Sequence, residues 1–218
     1  LPTAEYRAQG RGGKGVKAMA TREEDYVETV FTASTHDSIL FFTNLGKVYV
    51  RKGYRIPEAG RSARGQNIVN IIPTDPGEKV SAMIAGRGVT EDNYLVFVTR
   101  NGTVKRTAQS AFKNIRSNGI RALSLDEGDE LISVLQTTGE DKILLATHDG
   151  MAICFAETDA RAMGRDAVGV RGIRLREGDY VVGAGIAAEG AAILSITENG
   201  YGKRTDVGEY SVQNRGGM

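Results

Sequence analysis

The chain has one cysteine, no tryptophan, four prolines and two histidines in 218 residues. A single thiol, Cys154, excludes an internal disulfide and any metal site built from several cysteines; lying in the apolar stretch from Met151 to Phe155, it reads as a buried free thiol. No apolar run approaches the roughly 20 residues that a membrane helix needs, and the N-terminus carries no signal-peptide pattern. A reduced, unexported protein is expected in the cytoplasm. Charge of one sign is also lacking, since 28 basic residues face 27 acidic ones for a net +1. Taken whole, that balance argues against a polyanion as partner.

What the chain has in excess is glycine, 28 residues, and the glycines recur in order. The pattern apolar run, Thr, two residues, Gly describes a strand entering a tight turn, and it occurs four times: Ile39 to Gly46, Leu95 to Gly102, Ile143 to Gly150 and Ile193 to Gly200. The glycines are 56, 48 and 50 residues apart. A second marker, Gly followed by an acid, appears at Gly77-Glu78, Gly128-Asp129 and Gly178-Asp179, at intervals of 51 and 50. Two independent markers therefore share one period of about 50 residues.

After each turn glycine comes a short strand: Lys47 to Arg51, Thr103 to Thr107, Met151 to Phe155 and Tyr201 to Thr205. A loop then leads to an apolar segment such as Ile68 to Ile72, Ile120 to Leu125 or Val170 to Leu175. About four strands per unit, with little 3.6-residue periodicity, predict an all-β ring of four-stranded blades packed face to face, as in a propeller. The continuous apolar runs Ile39 to Phe42 and Leu95 to Val98 suit strands covered on both faces. A β-sandwich would bury as much but does not account for the period.

Counted by segment, the charges are sorted. Residues 44 to 65 carry six bases and one acid, 100 to 122 six and none, and 161 to 176 five and one. Residues 123 to 160 carry nine acids and one lysine, and 177 to 199 four acids and no base. The basic segments occupy the same place in successive repeats, the outer hairpin strand and the loop after it, so a ring would align them on one rim, the footprint of a nucleic-acid surface. Basic loops at blade spacing suit a curved path over phosphates better than base readout, and the few aromatics there disfavour stacking on single strands.

At the N-terminus, Gln9-Gly10-Arg11-Gly12-Gly13-Lys14-Gly15 resembles the gyrase-A box, Q-R-R-G-G-K/R-G. The segments FFTNLGKVY at 41 to 49, RSARGQNIVN at 61 to 70, GIRAL at 119 to 123 and MGRDAVGVRGI at 163 to 173 are similar to the same family, the gyrase A C-terminal domains, so the resemblance spans the chain. Gly10 replaces a basic residue of the usual box, and Gln213 to Gly217 partly repeats it. In the box the glycines free backbone amides for phosphate while Arg11 and Lys14 supply charge. The same stretch matches G-x-G-x-x-G, but no apolar strand precedes it and no helix follows, which removes a dinucleotide site. His36 and His148 stand in different places of their repeats and read as turn residues; no catalytic or metal constellation emerges.

The resemblance implies a β-pinwheel, a propeller-like ring with strands exchanged between adjacent blades, around whose rim duplex DNA bends. It implies a non-catalytic domain of a type II topoisomerase, working with the gyrase A N-terminal cleavage core and gyrase B in an A2B2 holoenzyme. The domain itself would need no cofactor, ATP and Mg being used elsewhere in the enzyme, and would be monomeric in isolation, with no membrane partner. Residues 1 to 218 are expected to form a single repeat domain that begins and ends inside blades, its ring open or short of a blade. The DNA contacts expected are Gln9, Arg11, Gly12, Gly13, Lys14, Gly15, Lys17, Arg51, Lys52, Arg61, Arg64, Lys105, Arg106, Lys113, Arg116, Arg165, Arg171, Lys203 and Arg204. A topoisomerase IV C-terminal domain and a protein-interaction propeller are the alternatives. Neutralising Arg11 and Lys14 together is expected to abolish DNA bending more than DNA affinity, and a doubly neutralised protein that bends a duplex normally in a fluorescence-transfer assay would refute this role of the box.

Overall fold

The computed structural model describes residues 3, 6, 19, 21, 26–60, 63–86 and 93–217. The described residues form thirteen strands and short 3-10 turns, with no α-helix among them. Each Thr-x-x-Gly marker is the turn of a hairpin. The pairs are β1 (Ser38–Thr43) with β2 (Lys47–Lys52), β4 (Tyr94–Thr99) with β5 (Thr103–Ala108), β8 (Lys142–Thr147) with β9 (Ala152–Ala156), and β12 (Ala192–Ile196) with β13 (Gly202–Asp206).

The chemistry of the turn explains its two fixed residues. Gly46, Gly102, Gly150 and Gly200 have φ of 77°, 82°, 81° and 82°, a left-handed conformation that costs a side-chain-bearing residue about 1–2 kcal/mol. The threonine hydroxyl accepts the N–H four residues on, from Lys47 (3.3 Å), Thr103 (3.1 Å), Met151 (3.2 Å) and Tyr201 (3.2 Å). The acid of the second marker then locks the first marker in place. Glu78 accepts from the Thr43 hydroxyl at 2.7 Å, and Asp129 and Asp179 accept the turn amides of Asn101 (2.9 Å) and Asp149 (3.1 Å). The two markers keep one period because they are bonded to each other.

The remaining strands are β3 (Val80–Gly86), β6 (Ile120–Arg121), β7 (Leu131–Thr137), β10 (Val170–Arg171) and β11 (Val181–Ile186). They assemble sheets in the order β3-β1-β2-β6, then β10-β5-β4-β7, then β11-β8-β9, and last β12-β13. The strands β3, β7 and β11 follow their hairpins and pair with the first hairpin strand, whereas β6 and β10 cross to the preceding sheet: β6 pairs β2 and β10 pairs β5. This is the strand exchange of a pinwheel. Because β7 packs on both β3 and β11, these three strands lie on the inner side, and β6 and β10 form the outer edge.

Two expectations need correction in detail. Four strands per blade holds for the first two sheets, while the described residues give the third sheet three strands and the fourth two. Of the apolar segments expected as strands, Ile68 to Ile72 instead opens as a 3-10 turn, Ile68–Asn70, capped by the Asn67 side chain, which accepts the Val69 N–H at 3.2 Å. Local capping by Asn67 wins there over the β-propensity of Ile and Val.

Side-chain alternation fills both faces of the first three hairpins. Leu40 and Phe42 pack with Leu95, Phe97 and Phe112 between the first two sheets, with the Phe42 and Phe97 rings edge to face at 5.6 Å. On the opposite face of the second sheet, Val96 and Val98 pack with Ile143, Leu145 and Phe155 of the third. Leu144 and Cys154 pack with Ala187 and Val207 on the far side; the thiol is buried, and burial pushes its pKa up. The apolar runs of the first three hairpins are continuous because each is covered on both faces, whereas Leu194 and Ile196 of the fourth are exposed.

Exchange bears directly on the turn glycine. The amides of Ala122 and Gly172 donate to the carbonyls of Gly46 and Gly102, both at 2.7 Å, and a Cβ on Gly46 would lie 2.7 Å from the Leu123 carbonyl oxygen. Gly150 has the same backbone conformation but open space around it. Gly46→Ala is expected to destabilise the fold by about 3 kcal/mol and Gly150→Ala by about 1 kcal/mol. Equal losses in thermal unfolding would mean that the exchanged segment does not depend on close approach at Gly46.

Candidate nucleic-acid interface

The outer edge is assembled from two consecutive repeats. After β9 the chain returns to the second sheet, where Met163 N–H donates to the Arg106 carbonyl at 2.8 Å. It then passes over β6: the Arg165 guanidinium donates to the Arg121 carbonyl at 3.3 Å, and Ser124 N–H donates to the Ala167 carbonyl at 3.2 Å. One repeat later the same contacts recur. Gln213 N–H donates to the Cys154 carbonyl at 2.9 Å, the Arg215 guanidinium donates to the Arg171 carbonyl, and Arg174 N–H donates to the Gly217 carbonyl at 2.8 Å. Each returning loop thus clamps the exchanged strand donated by the repeat before it.

Where loop 164–165 meets β6 and the loop before it, the surface is hollowed. Lys113, Arg116, Arg121 and Arg165 line this hollow together with Asn114, Ile115, Gly119 and Ile120, and none of these is acidic. Lys113, Arg116 and Arg121 are exposed and Arg165 is half-buried. Gly119 permits the close approach: its φ is 79°, and a Cβ there would come within 2.7 Å of the Tyr49 ring. Four cations lining one hollow attract an anion, and arginine pairs make a planar, bidentate match to phosphate oxygens.

The structure sorts the expected contacts into different roles. Lys52, Arg64, Lys113, Arg116, Arg171, Lys203 and Arg204 are exposed. Arg51 is half-buried, its Nε donating to the Ile71 carbonyl at 2.7 Å and its Nη1 to the Val50 carbonyl at 2.8 Å, so its guanidinium holds the 68–72 segment. Gln9, Arg11, Gly12, Gly13, Lys14, Gly15, Lys17 and Arg61 lie outside the described residues.

Two lysine and arginine positions differ from the expectation of a rim contact. Lys105 is fully buried. Arg106 is directed into the interface between the second and third sheets, stacked 4.6 Å from the Tyr94 ring centroid with Nη1 3.7 Å from Glu157 Oε2. Glu157 is buried and also accepts from the Thr137 hydroxyl (2.7 Å) and from the amides of Gly139 and Asp141 (both 2.8 Å). The cause is general: β5 lies inside a sheet covered on both faces, so a basic residue there cannot reach the rim. Sequence reasoning also missed Arg121 and Arg215; the register Ile120-Arg121 and Val170-Arg171, and the distance of Arg165 and Arg215 from their turn glycines, were the signals that pair them.

His148 belongs to a turn, as expected: its ring stacks on Tyr180 at 4.8 Å, with Nδ1 3.1 Å from Asp149 Oδ1. Ligand atoms of His148, Asp149 and Asp179 lie within 4.8 Å of one another, but Asp179 Oδ1 is already engaged by the amides of Asp149 and Tyr180. These groups close a turn.

A family model described as "DNA gyrase C-terminal domain, beta-propeller" matches residues 1–34, 37–86, 93–138, 141–188 and 192–218. The chain belongs to the DNA gyrase C-terminal domain family. It is 50% identical over 220 residues to the DNA gyrase A protein of Staphylococcus aureus, a match that covers 100% of this chain and 25% of the relative. The chain therefore spans about a quarter of the length of the curated relatives it matches. Among solved structures, it is similar to a DNA gyrase A C-terminal domain with a TM-score of 0.78 and 28% identity, covering 100% of this chain and 70% of the other. It is also similar to the C-terminal domain of DNA topoisomerase IV with a TM-score of 0.76 and 32% identity, covering 84% and 58%. Membership fits the exchange topology and the all-β ring expected from the repeat.

Arg106→Met separates a packing role from a phosphate role. It leaves Glu157 buried beside an apolar side chain, so stability is expected to fall by about 3 kcal/mol, while the folded fraction binds duplex DNA within about twofold of the parent. Unchanged stability with a tenfold loss of affinity would return Arg106 to the rim.

Proposed function

We propose that this chain binds duplex DNA along the outer edge of its blades and bends it, as the wrapping domain of a gyrase A protein. The observation that carries the reading is the hollow lined by Lys113, Arg116, Arg121 and Arg165, built from two successive repeats. One repeat on, Arg215 makes the same guanidinium-to-carbonyl contact with Arg171. A duplex following such sites is held at intervals set by the blades, so the angle between blades sets its curvature.

Bending a site of 20–30 base pairs by 40–90° costs roughly 1–6 kcal/mol, which several charge-assisted phosphate contacts offset. Contacts to phosphate make binding tolerant of sequence and steeply dependent on salt. In this reading residues 1–218 act as one repeat domain without chemistry or cofactor of their own. The cleavage core of gyrase A, gyrase B and the ATP and Mg they use belong to the rest of a cytoplasmic A2B2 enzyme, in which the wrap biases strand passage toward negative supercoils. Similarity to the topoisomerase IV C-terminal domain supports a second reading, decatenation without wrapping, which a supercoiling assay of the intact enzyme separates from the first.

Arg121→Ala with Arg165→Ala is expected to weaken binding to a 40-base-pair duplex of any sequence. The slope of log affinity against log salt should become shallower by about 2. A parent chain that fails to shift duplex DNA at low salt would favour a protein-interaction propeller instead, and an unchanged salt slope would remove the hollow from the DNA path.

A further inference from the structure

Three residues past the turn glycine, the outer hairpin strands carry Tyr49, Lys105, Ile153 and Lys203. Tyr49 and Ile153 are buried, as befits a strand inside a stack, and Lys203 is exposed. Lys105 is the exception, a cation as fully buried as the tyrosine that replaces it in the first sheet. Burying an ammonium is costly unless every proton finds an acceptor, and an aromatic or aliphatic residue would fill the site without that cost.

The three protons of Lys105 have three acceptors. Nζ donates to the carbonyls of Ala122 at 2.6 Å, Arg165 at 2.8 Å and Gly164 at 3.1 Å, and it lies 5.3 Å from the Phe97 ring centroid. The acceptors are not scattered. Ala122 directly follows Arg121 at the end of β6, and Gly164 and Arg165 form the returning loop. One buried nitrogen therefore joins, from beneath, the two segments whose arginines meet in the hollow.

We propose that Lys105 is the positioning residue of that hollow, holding Arg121 and Arg165 side by side and adding a fixed positive charge beneath them. The proposal rests on the DNA-binding reading of the hollow and extends it. Lys105 itself touches no phosphate; it acts through the carbonyls that fix the two backbones. A preorganised arginine pair spares the ordering cost that mobile side chains incur on binding.

Coupling to protons follows from this placement. Burial lowers the Lys105 pKa to about 8, with Asp166 opposing the shift and Arg165 adding to it. Arg121 precedes the acceptor Ala122, and Lys113 and Arg116 line the same hollow as Arg121 and Arg165. Below about pH 8 the ammonium is intact; above it the nitrogen loses its charge and one carbonyl loses its donor. Arginine keeps its charge throughout this range. Affinity for a polyanion should then fall as pH rises through about 8, and by linkage a bound duplex should draw a proton onto Lys105.

The test uses the 218-residue chain and a fluorescent 40-base-pair duplex, with affinity measured from about pH 7 to 9.5 at fixed salt and proton uptake measured by calorimetry in two buffers of different ionisation enthalpy. The parent is expected to lose affinity about tenfold across this range and to take up protons on binding near pH 8.5. Lys105→Met should bind weakly at every pH, with a salt slope shallower by about 1–2, and Lys105→Arg should recover most of that affinity without the fall near pH 8. A parent and Lys105→Arg that share one pH profile, or a Lys105→Met that binds like the parent, overturns the proposal. If Lys105→Met does not fold, the comparison of the parent with Lys105→Arg decides by itself. A parent that binds no duplex at pH 7 and low salt overturns the underlying reading as well, and is recognised because no variant then has a signal to lose.

Discussion

The carbonyl of a turn glycine receives the chain of the next repeat: Gly46 accepts the amides of Ala122 and Leu123, and Gly102 those of Gly172 and Ile173. The rest of the architecture depends on this joint. Positive φ turns the carbonyl outward, and the absence of a Cβ lets the incoming segment close on it. Once docked, that segment supplies β6 or β10 as the outer strand of the blade before. No described four-stranded sheet is made of one repeat alone. Stability in such an arrangement resides in interfaces between repeats more than within them, and the same exchange that completes a sheet carries a basic residue, Arg121 or Arg171, to the outer edge.

Acids and bases are divided along this architecture. Glu78, Asp129 and Asp179 close hairpin turns by accepting hydroxyl and amide protons, and Glu157 holds the Thr137–Asp141 turn against Arg106. Apart from the ion pair of Glu157 with Arg106, these carboxylates are engaged by backbone and hydroxyl donors. Several of the bases, in contrast, lie on exchanged strands and returning loops, where few carboxylates stand opposite them. A net charge of +1 is therefore compatible with a strongly basic hollow, because the negative charge is placed elsewhere in each repeat.

Much of this was legible in the sequence because it is local. Thr and Gly at fixed spacing reported a turn whose hydroxyl and φ both matter, and continuous apolar runs reported strands covered on two faces. The second marker showed the period but not its cause, since the bond from Thr43 to Glu78 spans 35 residues. Exchange was illegible from residue pattern alone: β6 and β10 are two residues each, and nothing in Ile120-Arg121 states that its partner is β2 and not β5. Lys105 and Arg106 were read as rim charges because they lie in a basic segment. The overlooked signal was alignment across repeats, which puts Lys105 where Tyr49 and Ile153 are buried.

Bending a stiff polymer asks more of a surface than charge. Exposed lysines spread along an edge lower the energy of any nearby duplex, straight or bent, and so favour binding without favouring curvature. Curvature requires that attraction be concentrated at points whose relative positions do not yield when the duplex pulls back. The clamps at Arg121 with Arg165 and at Arg171 with Arg215 have that character. Arg165 and Arg215 each donate to the backbone carbonyl of an exchanged-strand arginine, Arg121 or Arg171, and the sheets are fixed by interleaved cores such as Phe42 against Phe97. In a wrapping domain the elastic load of the DNA would therefore pass from guanidinium to exchanged strand, from exchanged strand to turn glycine, and from there into the blade stack. On this view strand exchange and bending are linked, because the segment that carries charge to the rim is the one that ties neighbouring blades together.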